Sequence, residues 1–516
     1  MIDMPFDIQK MLSAEIYDHP VSQLELIETH ISWVILTGDY AYKIIKPVDF
    51  GFLDFSTLQQ RQDCCEQELR LNRRLAPEVY LDVVAITGTA DEPVISGDGE
   101  AIEYAVKMTQ FPQSAQLDNM LTAGTLHAEH MEAIARMVAD FHRSVEVASA
   151  ELRYGDDDVV YQPMEENFIQ IEQHIDTTPY KTALDALQNW SQAEYKRLQQ
   201  TLIQRKRDGF IRECHGDMHL RNMLWLNEHP MAFDCIEFNA SLRWIDVISE
   251  AAFLVMDLQD RQQYPLANRF LNSYLEATGD YAGLTILPFY LAYRAMVRAK
   301  VNALRLEQDN VSSEESKLER QSFESYLALA TTYTQQETPR LIIMRGLSAS
   351  GKSTISQQLV DRMGAIRIRS DVERKRLFEP EPSDSKQNEI EQGIYSTKAS
   401  EQTYTKLQQL ATHVINSGRS VIIDAAFLKQ EQRQPFQLLA ESLGVSFNII
   451  EITAPADILR QRIKARKNDV SDADRAVLEH QLAHWQPLLD SELASAISID
   501  TTEPVDIDSL IERVKS

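Results

Sequence analysis

Cysteine is scarce in this chain of 516 residues: Cys64, Cys65, Cys214 and Cys235 are all it has. No pair has CxxC spacing, and two adjacent residues make a poor disulfide. That excludes a zinc ribbon or a disulfide scaffold and points to a reducing compartment. No stretch approaches the ~18 consecutive apolar residues of a membrane span. The N-terminus carries acidic residues and lacks a basic-then-apolar signal pattern, so a cytoplasmic location is expected. Positive charge is also short, with 51 Lys and Arg against 78 Asp and Glu, a net charge of −27. Such a chain repels phosphate backbones at long range, which argues against nucleic acid as a partner and leaves room for a local pocket for one or a few phosphates. What remains is a soluble globular composition, 44% hydrophobic and 25% charged, long enough for two or three domains. Oligomeric state is not legible.

Short strand-like runs dominate up to about residue 115: Leu24–Glu28, Ile31–Leu36, Tyr40–Lys46 after the Gly38-Asp39 turn, Val79–Thr87 and Glu103–Met108, with a helix near Gln60–Leu75. Helical periodicity then prevails to about 330, broken at 210–238 by short strands bearing clustered polar residues. The polar TTYTQQETP ends in proline and reads as a linker. Beyond it, strands Leu341–Arg345, Ala365–Arg369, Ser420–Asp424, Ser446–Ile452 and Ala496–Ile499 alternate with helices, the signature of a parallel α/β sheet.

The sharpest motif is Gly346-Leu-Ser-Ala-Ser-Gly351-Lys352-Ser353, a complete Walker A loop between an apolar strand and an amphipathic helix. In that context the backbone of Gly346, Ser348, Ala349, Ser350, Gly351 and Thr354 cradles phosphates, Lys352 reaches the terminal ones and Ser353 meets Mg²⁺. Asp371 ends the next strand and is placed to take a proton from an attacking hydroxyl; its competing role is a helix cap. Asp424 ends VIID like a Walker B carboxylate at the metal. Arg460, Arg462 and Arg466 form an arginine-rich segment, and Arg462 and Arg466 share a helix face suited to closing over a transferring phosphate. Together GLSASGKST, RSDVER, VIIDAAF and this segment resemble the P-loop kinases of small molecules, such as gluconate kinases, chloramphenicol phosphotransferases and zeta-type toxins. The resemblance implies ATP as donor, Mg²⁺ as cofactor and a hydroxyl as acceptor.

A second motif, His215-Gly216-Asp217-Met218-His219-Leu220-Arg221-Asn222, is followed by Asp234 in MAFDCIEF. Asp217 can sit at an acceptor hydroxyl, while Asn222 and Asp234 bring oxygen ligands to Mg²⁺ from either side of a short hairpin. This segment resembles the catalytic loop of the aminoglycoside phosphotransferase and choline kinase families, over about residues 20–330. The resemblance implies a lysine on the third strand paired with a helical glutamate. Lys43 is preferred to Lys46, which lies on the opposite strand face, and Glu68 to Glu66. It also implies a hinge strand over EYAVKMTQF with Met108 near adenine, and Asp246 as the residue that hydrogen-bonds the catalytic loop. Arg294, Arg298 and Arg305 suggest a neutral or anionic acceptor.

The expected architecture is therefore an α+β protein-kinase-like bilobal domain, residues 1–332 with lobes of about 1–106 and 112–332. A linker at 333–339 joins it to an α/β P-loop NTPase domain with a parallel sheet, residues 340–516. Whole-chain organisation resembles bacterial proteins that fuse an aminoglycoside phosphotransferase-like domain to an AAA-type ATP-binding domain. Two phosphotransferase sites acting on small-molecule hydroxyls is the leading reading. One active kinase gated by nucleotide at the other domain, and a polynucleotide 5′-hydroxyl kinase, are the alternatives.

Overall fold

The computed structural model describes residues 6–49, 54–306, 312–335, 337–378, 397–465 and 475–516. Grouped by contact, the chain forms two compact units: Met1–Ile169 with Ala193–Asp257, and Gln170–Gln192 with Leu258–Ser516.

The first unit contains a six-stranded antiparallel sheet in the order β1-β2-β3-β6-β4-β5. Its strands are β1 (Glu25–Glu28), β2 (Ser32–Leu36), β3 (Tyr40–Ile45), β4 (Tyr80–Gly88), β5 (Pro93–Ile95) and β6 (Glu103–Thr109). Side chains alternate across β3. Tyr42 and Ile44 enter one apolar cluster with Ile35 and Ile86, while Ile45 faces the other with Val79 and Val106. Lys43 therefore shares a face with Ile45, the side on which the helix Leu58–Asn72 packs. A capping box, in which Thr57 and Gln60 exchange side-chain hydrogen bonds, starts that helix.

Further along this unit, β7 (Ile211–Glu213) pairs antiparallel with β10 (Trp244–Asp246), and β8 (Met223–Leu226) forms a hairpin with β9 (His229–Ala232). The hairpin turn is Asn227-Glu228, with φ of 51° and 65°, the left-handed pair that matches strand twist in a two-residue turn. The sequence reading did not foresee β5 or the strand character of WID.

The second unit carries a five-stranded parallel sheet in the order β12-β13-β11-β14-β15. Its strands are β11 (Arg340–Arg345), β12 (Ile366–Arg369), β13 (Val421–Asp424), β14 (Ser446–Thr453) and β15 (Ala496–Asp500). All four residues of β13 and five of six in β11 are buried, as expected of strands covered on both faces. Crossovers leave β11 toward one side and arrive at β14 on the other, so a crevice opens at the C-terminal ends of β11 and its neighbours. No helix among the described residues is long and apolar enough to cross a membrane.

Candidate active sites

Glu68 is the place to begin in the first unit, because a fully buried carboxylate needs a partner. It finds one in Lys43, whose Nζ lies 2.9 Å from Glu68 Oε1 and 3.2 Å from Asp234 Oδ1. Burial pushes the Lys43 ammonium toward neutrality, but Glu68 and Asp234 outweigh that and hold its pKa well above the ordinary lysine value. Lys46 turns the other way, to Glu28 and the Trp33 ring. Glu66 lies on the outer face of its helix, where Gln62 donates to it. Met108, the penultimate residue of β6, is half-buried against the cluster around Tyr80 and Val106.

The polar loop after β7 brings Asp217 and Asn222 together. Asn222 Nδ2 donates to Asp217 Oδ2 at 2.8 Å and to the Asp217 carbonyl at 3.1 Å. The side-chain oxygen of Asn222 makes none of these bonds, and it and the Asp234 carboxylate are oxygen atoms of the kind that could hold a hard divalent cation. Asp234 has φ of 61°, a left-handed turn at the end of the β9 segment, and its N–H donates to the Tyr80 hydroxyl at 3.2 Å. Gly216 also has positive φ, 91°, and a Cβ there would sit 2.8 Å from the Leu242 carbonyl oxygen. Only glycine fits. His219 packs edge-on against Phe253, with Nε2 3.4 Å from Asp217 Oδ2.

The expected tether of this loop is corrected. Asp246 does not hold it: its carboxylate takes two hydrogen bonds from Arg205, at 2.7 and 2.9 Å, and caps the Ile248 N–H. Asp257 accepts from the Leu220 N–H of the loop at 2.9 Å, and the tether at its start is Glu250, one helical turn after Asp246 and fully buried. It accepts from the backbone N–H of His215 at 2.8 Å and of Gly216 at 2.6 Å, and meets His142 Nε2 at 3.0 Å. The available signal was a single glutamate inside the apolar run VISEAAFLVM. His142, Cys214 and Glu250 lie close enough to resemble a metal-ligand set, but the Glu250 oxygens already serve backbone donors. Glu237 was also missed. Burial pushes its pKa up to about 7, with Lys43 opposing and Glu68 and Asp234 adding to the rise.

In the second unit the loop after β11 has Walker A geometry. Ala349 has φ of 64° and Gly351 of 99°, and the helix Lys352–Met363 starts directly after Gly351. A Cβ on Gly346 would lie 2.5 Å from the Ile452 carbonyl oxygen. Ser353 and Thr354 are exposed at the helix start. The Ser350 hydroxyl is buried without a hydrogen-bond partner. Lys352 Nζ reaches back to the Leu347 carbonyl oxygen at 2.9 Å, and the Ser348 N–H donates to Gln481 Oε1 at 2.7 Å. Asp424 is buried and accepts from Ser356 Oγ at 3.0 Å. A cavity of about 980 Å³ is lined by Lys352, Ser353, Arg369, Asp371, Arg374 and Asp424 among others.

The arginines divide differently from expectation. Arg460 pairs with Asp457 and Glu479. Arg462 donates to Thr501 Oγ1 at 2.9 Å and the Thr501 carbonyl at 2.7 Å, and lines a separate cavity of about 560 Å³ with Gly351 and Thr354. It also donates to the Ala349 and Ser350 carbonyl oxygens of the loop, at 3.3 and 3.4 Å. Arg466 lies outside the described residues. Arg294 is buried with its guanidinium 5.3 Å from the Tyr293 ring centroid, Arg298 is 5.8 Å from that of Tyr326, and Arg305 pairs with Glu319 at 3.2 Å.

Residues 341–488 match the family model described as AAA domain. An uncharacterized protein of Mycobacterium tuberculosis is 29% identical over 473 residues, covering 90% of this chain and 92% of its own, and a Mycobacterium bovis protein matches to the same extent. Among solved structures, the chain is similar to an amicoumacin kinase, with 14% identity, 63% of this chain and 94% of that one covered and a TM-score of 0.41. It is also similar to a sugar kinase from Janibacter, with 22% identity, 34% and 91% covered and a TM-score of 0.26. The chain thus joins a unit built on a six-stranded antiparallel sheet to an α/β unit with a five-stranded parallel sheet and a P-loop, and the AAA domain match falls within the latter.

Proposed function

We propose that the chain is an ATP- and Mg²⁺-dependent phosphotransferase with two kinase-type sites. One lies in residues 1–332 and one in 340–516, and each acts on a hydroxyl of a small, sugar- or metabolite-like molecule. The observation that carries this reading is the meeting of Lys43, Glu68 and Asp234. A strand, a helix and a loop far apart in sequence converge within 3.2 Å on one largely covered cation, an arrangement suited to aligning nucleotide phosphates. Bound ATP supplies the phosphoryl group, and Mg²⁺ neutralises its charge. The rest is done by side chains of this chain. Lys43 orients phosphates, Asn222 and Asp234 hold the cation, and Asp217 accepts the proton of the attacking hydroxyl. Met108 lies on the strand proposed to meet the adenine.

In the P-loop domain the backbone from Gly346 to Thr354 cradles phosphates. Lys352 reaches the terminal ones, Ser353 and Asp424 hold the cation, and Asp371 receives the proton. Arg462 is assigned to the nucleoside end because it lines the second cavity, and Arg466 stays the candidate for the transferring group.

The test is a screen with γ-labelled ATP and a pool of small metabolites, run on wild type, Asp217→Ala and Lys352→Ala. Each variant is expected to lose its own products and keep the other's. If either single variant abolishes every product, two independent sites is the wrong picture.

A further inference from the structure

Strand β12, which leads directly into Asp371, is the edge of the parallel sheet. An exposed edge leaves N–H and C=O groups unpaired. Here a helix from upstream of residue 333, Tyr264–Thr278, supplies the partners. Asn272, 5% exposed, accepts from the Arg367 N–H at 2.8 Å and donates to the Ala365 carbonyl at 3.2 Å, so its amide stands in for a neighbouring strand. Arg269 forms an ion pair with Asp361, and Asn268 donates to the Asp361 carbonyl at 3.0 Å.

One turn beyond Asn272, Glu276 reaches the end of β12. Its Oε1 lies 3.2 Å from Arg369 Nη1 and its Oε2 3.8 Å from Arg367 Nη2. Arg376 donates to the Glu276 backbone carbonyl and pairs with Glu373. Side-chain exposures of 13% for Arg369 and 24% for Glu276 keep this pair out of bulk water, where screening would erase most of its effect. Arg369 and Asp371 are two residues apart and line the same cavity. A guanidinium beside a carboxylate that must accept a proton will close onto it unless another anion holds it away.

We propose that Glu276 is a positioning residue for the P-loop site: it holds Arg369 away from Asp371, so the site is completed by a helix from the preceding part of the chain. The inference rests on the kinase reading of the P-loop domain. Turnover at that site then requires the register of Tyr264–Thr278 against β12, and residues 340–516 alone do not carry the whole site.

The full-length chain tests this with γ-labelled ATP and the metabolite pool, scoring only products that Lys352→Ala abolishes. Glu276→Gln is expected to lower kcat about tenfold or more, the scale of a misplaced catalytic group, with the KM for ATP unchanged and Asp217-dependent products unaffected. Removing the released arginine in Glu276→Gln/Arg369→Gln should recover part of that loss, and Glu276→Asp most of it. A merely structural role would give neither the kcat-only loss nor the second-site recovery. Wild-type kcat in Glu276→Gln, or no recovery in the double variant, overturns the inference. If Glu276→Gln does not fold in a thermal melt, Glu276→Ala replaces it as the single variant. Its kcat is then compared with that of Glu276→Ala/Arg369→Gln, and an arginine removal that does not raise turnover overturns the inference. Absence of any Lys352-dependent product sinks the kinase reading itself.

Discussion

Asn222 donates to the Asp217 carboxylate at 2.8 Å, so the side chain proposed to hold the cation also fixes the side chain proposed to meet the hydroxyl. Replacing either should therefore damage more than its own role. Asp217→Ala removes the proton acceptor and is expected to lower first-site kcat by about 10²–10⁴. Asn222→Ala should cost a comparable factor and also raise the Mg²⁺ concentration needed for half-maximal rate, because it removes an oxygen ligand. Titrating Mg²⁺ against initial rate separates the two variants. An unchanged Mg²⁺ requirement in Asn222→Ala would argue that the asparagine only orients Asp217.

Lys43 and Lys46 make a matched comparison on one strand. Lys43→Met leaves Glu68 buried and unpaired, and removing one partner of such a pair costs about 3–5 kcal/mol. Lys46→Met severs an ion pair with the largely exposed Glu28, which is worth about 0–1 kcal/mol. Denaturant unfolding should show that difference, and a fluorescent ATP analogue should lose first-site affinity only in Lys43→Met. Equal loss of binding in both would reverse the assignment.

How legible all this was in the sequence depends on the range of the interaction. Strands β3, β6, β11 and β13 stood out because burial on one or both faces writes a local apolar pattern. The Walker A loop stood out because its backbone geometry needs glycine at Gly346 and Gly351. Strand alternation put Lys43 and Lys46 on opposite faces without deciding which one faces the cleft, and it is the ion pair with buried Glu68 that distinguishes Lys43. Asp246 and Glu250 were not separable in this way. Both are buried carboxylates near the same loop, and only the packing of Val247–Asp260 under His215 and Gly216 decides which one meets the backbone. The hydrogen bonds of Arg462 to Thr501 were not legible for a similar reason, since Thr501 is distant in sequence. The bracing of β12 by Asn272 and Glu276 left no local trace.

Gln481 occupies a backbone donor that a phosphate would use, through its 2.7 Å hydrogen bond from the Ser348 N–H. Nucleotide must displace it. One neutral hydrogen bond has a net worth of about 0.5–1.5 kcal/mol, so Gln481→Ala is expected to tighten ATP-analogue binding to the P-loop domain by about two- to tenfold. Lys352→Ala should abolish that binding in both backgrounds. Titration calorimetry on the full chain, with first-site binding suppressed by Lys43→Met, reads the effect directly. Weaker binding in Gln481→Ala would show that the glutamine contacts nucleotide instead of standing in for it.

Glu250 links loop geometry to acid stability. Burial would raise its pKa, but the hydrogen bond and charge of His142, with His215 and the Gly216 N–H, outweigh burial and hold it below the ordinary glutamate value. A carboxyl depressed in the folded state stabilises the fold fully above its unfolded pKa, about 4.3. That contribution is lost as pH falls through the lower, folded value. Glu250→Gln presents an amide N–H₂ toward backbone donors and should destabilise the first unit at pH 7 by about 3 kcal/mol, the cost of breaking a buried charged network. Because glutamine does not titrate, the gap between variant and wild type should narrow as pH drops from 5 toward 3. First-site kcat should fall at pH 7 even where the variant remains folded, since His215 and Gly216 carry Asp217. A gap that stays constant across that pH range would mean that Glu250 is not the charged tether of the loop.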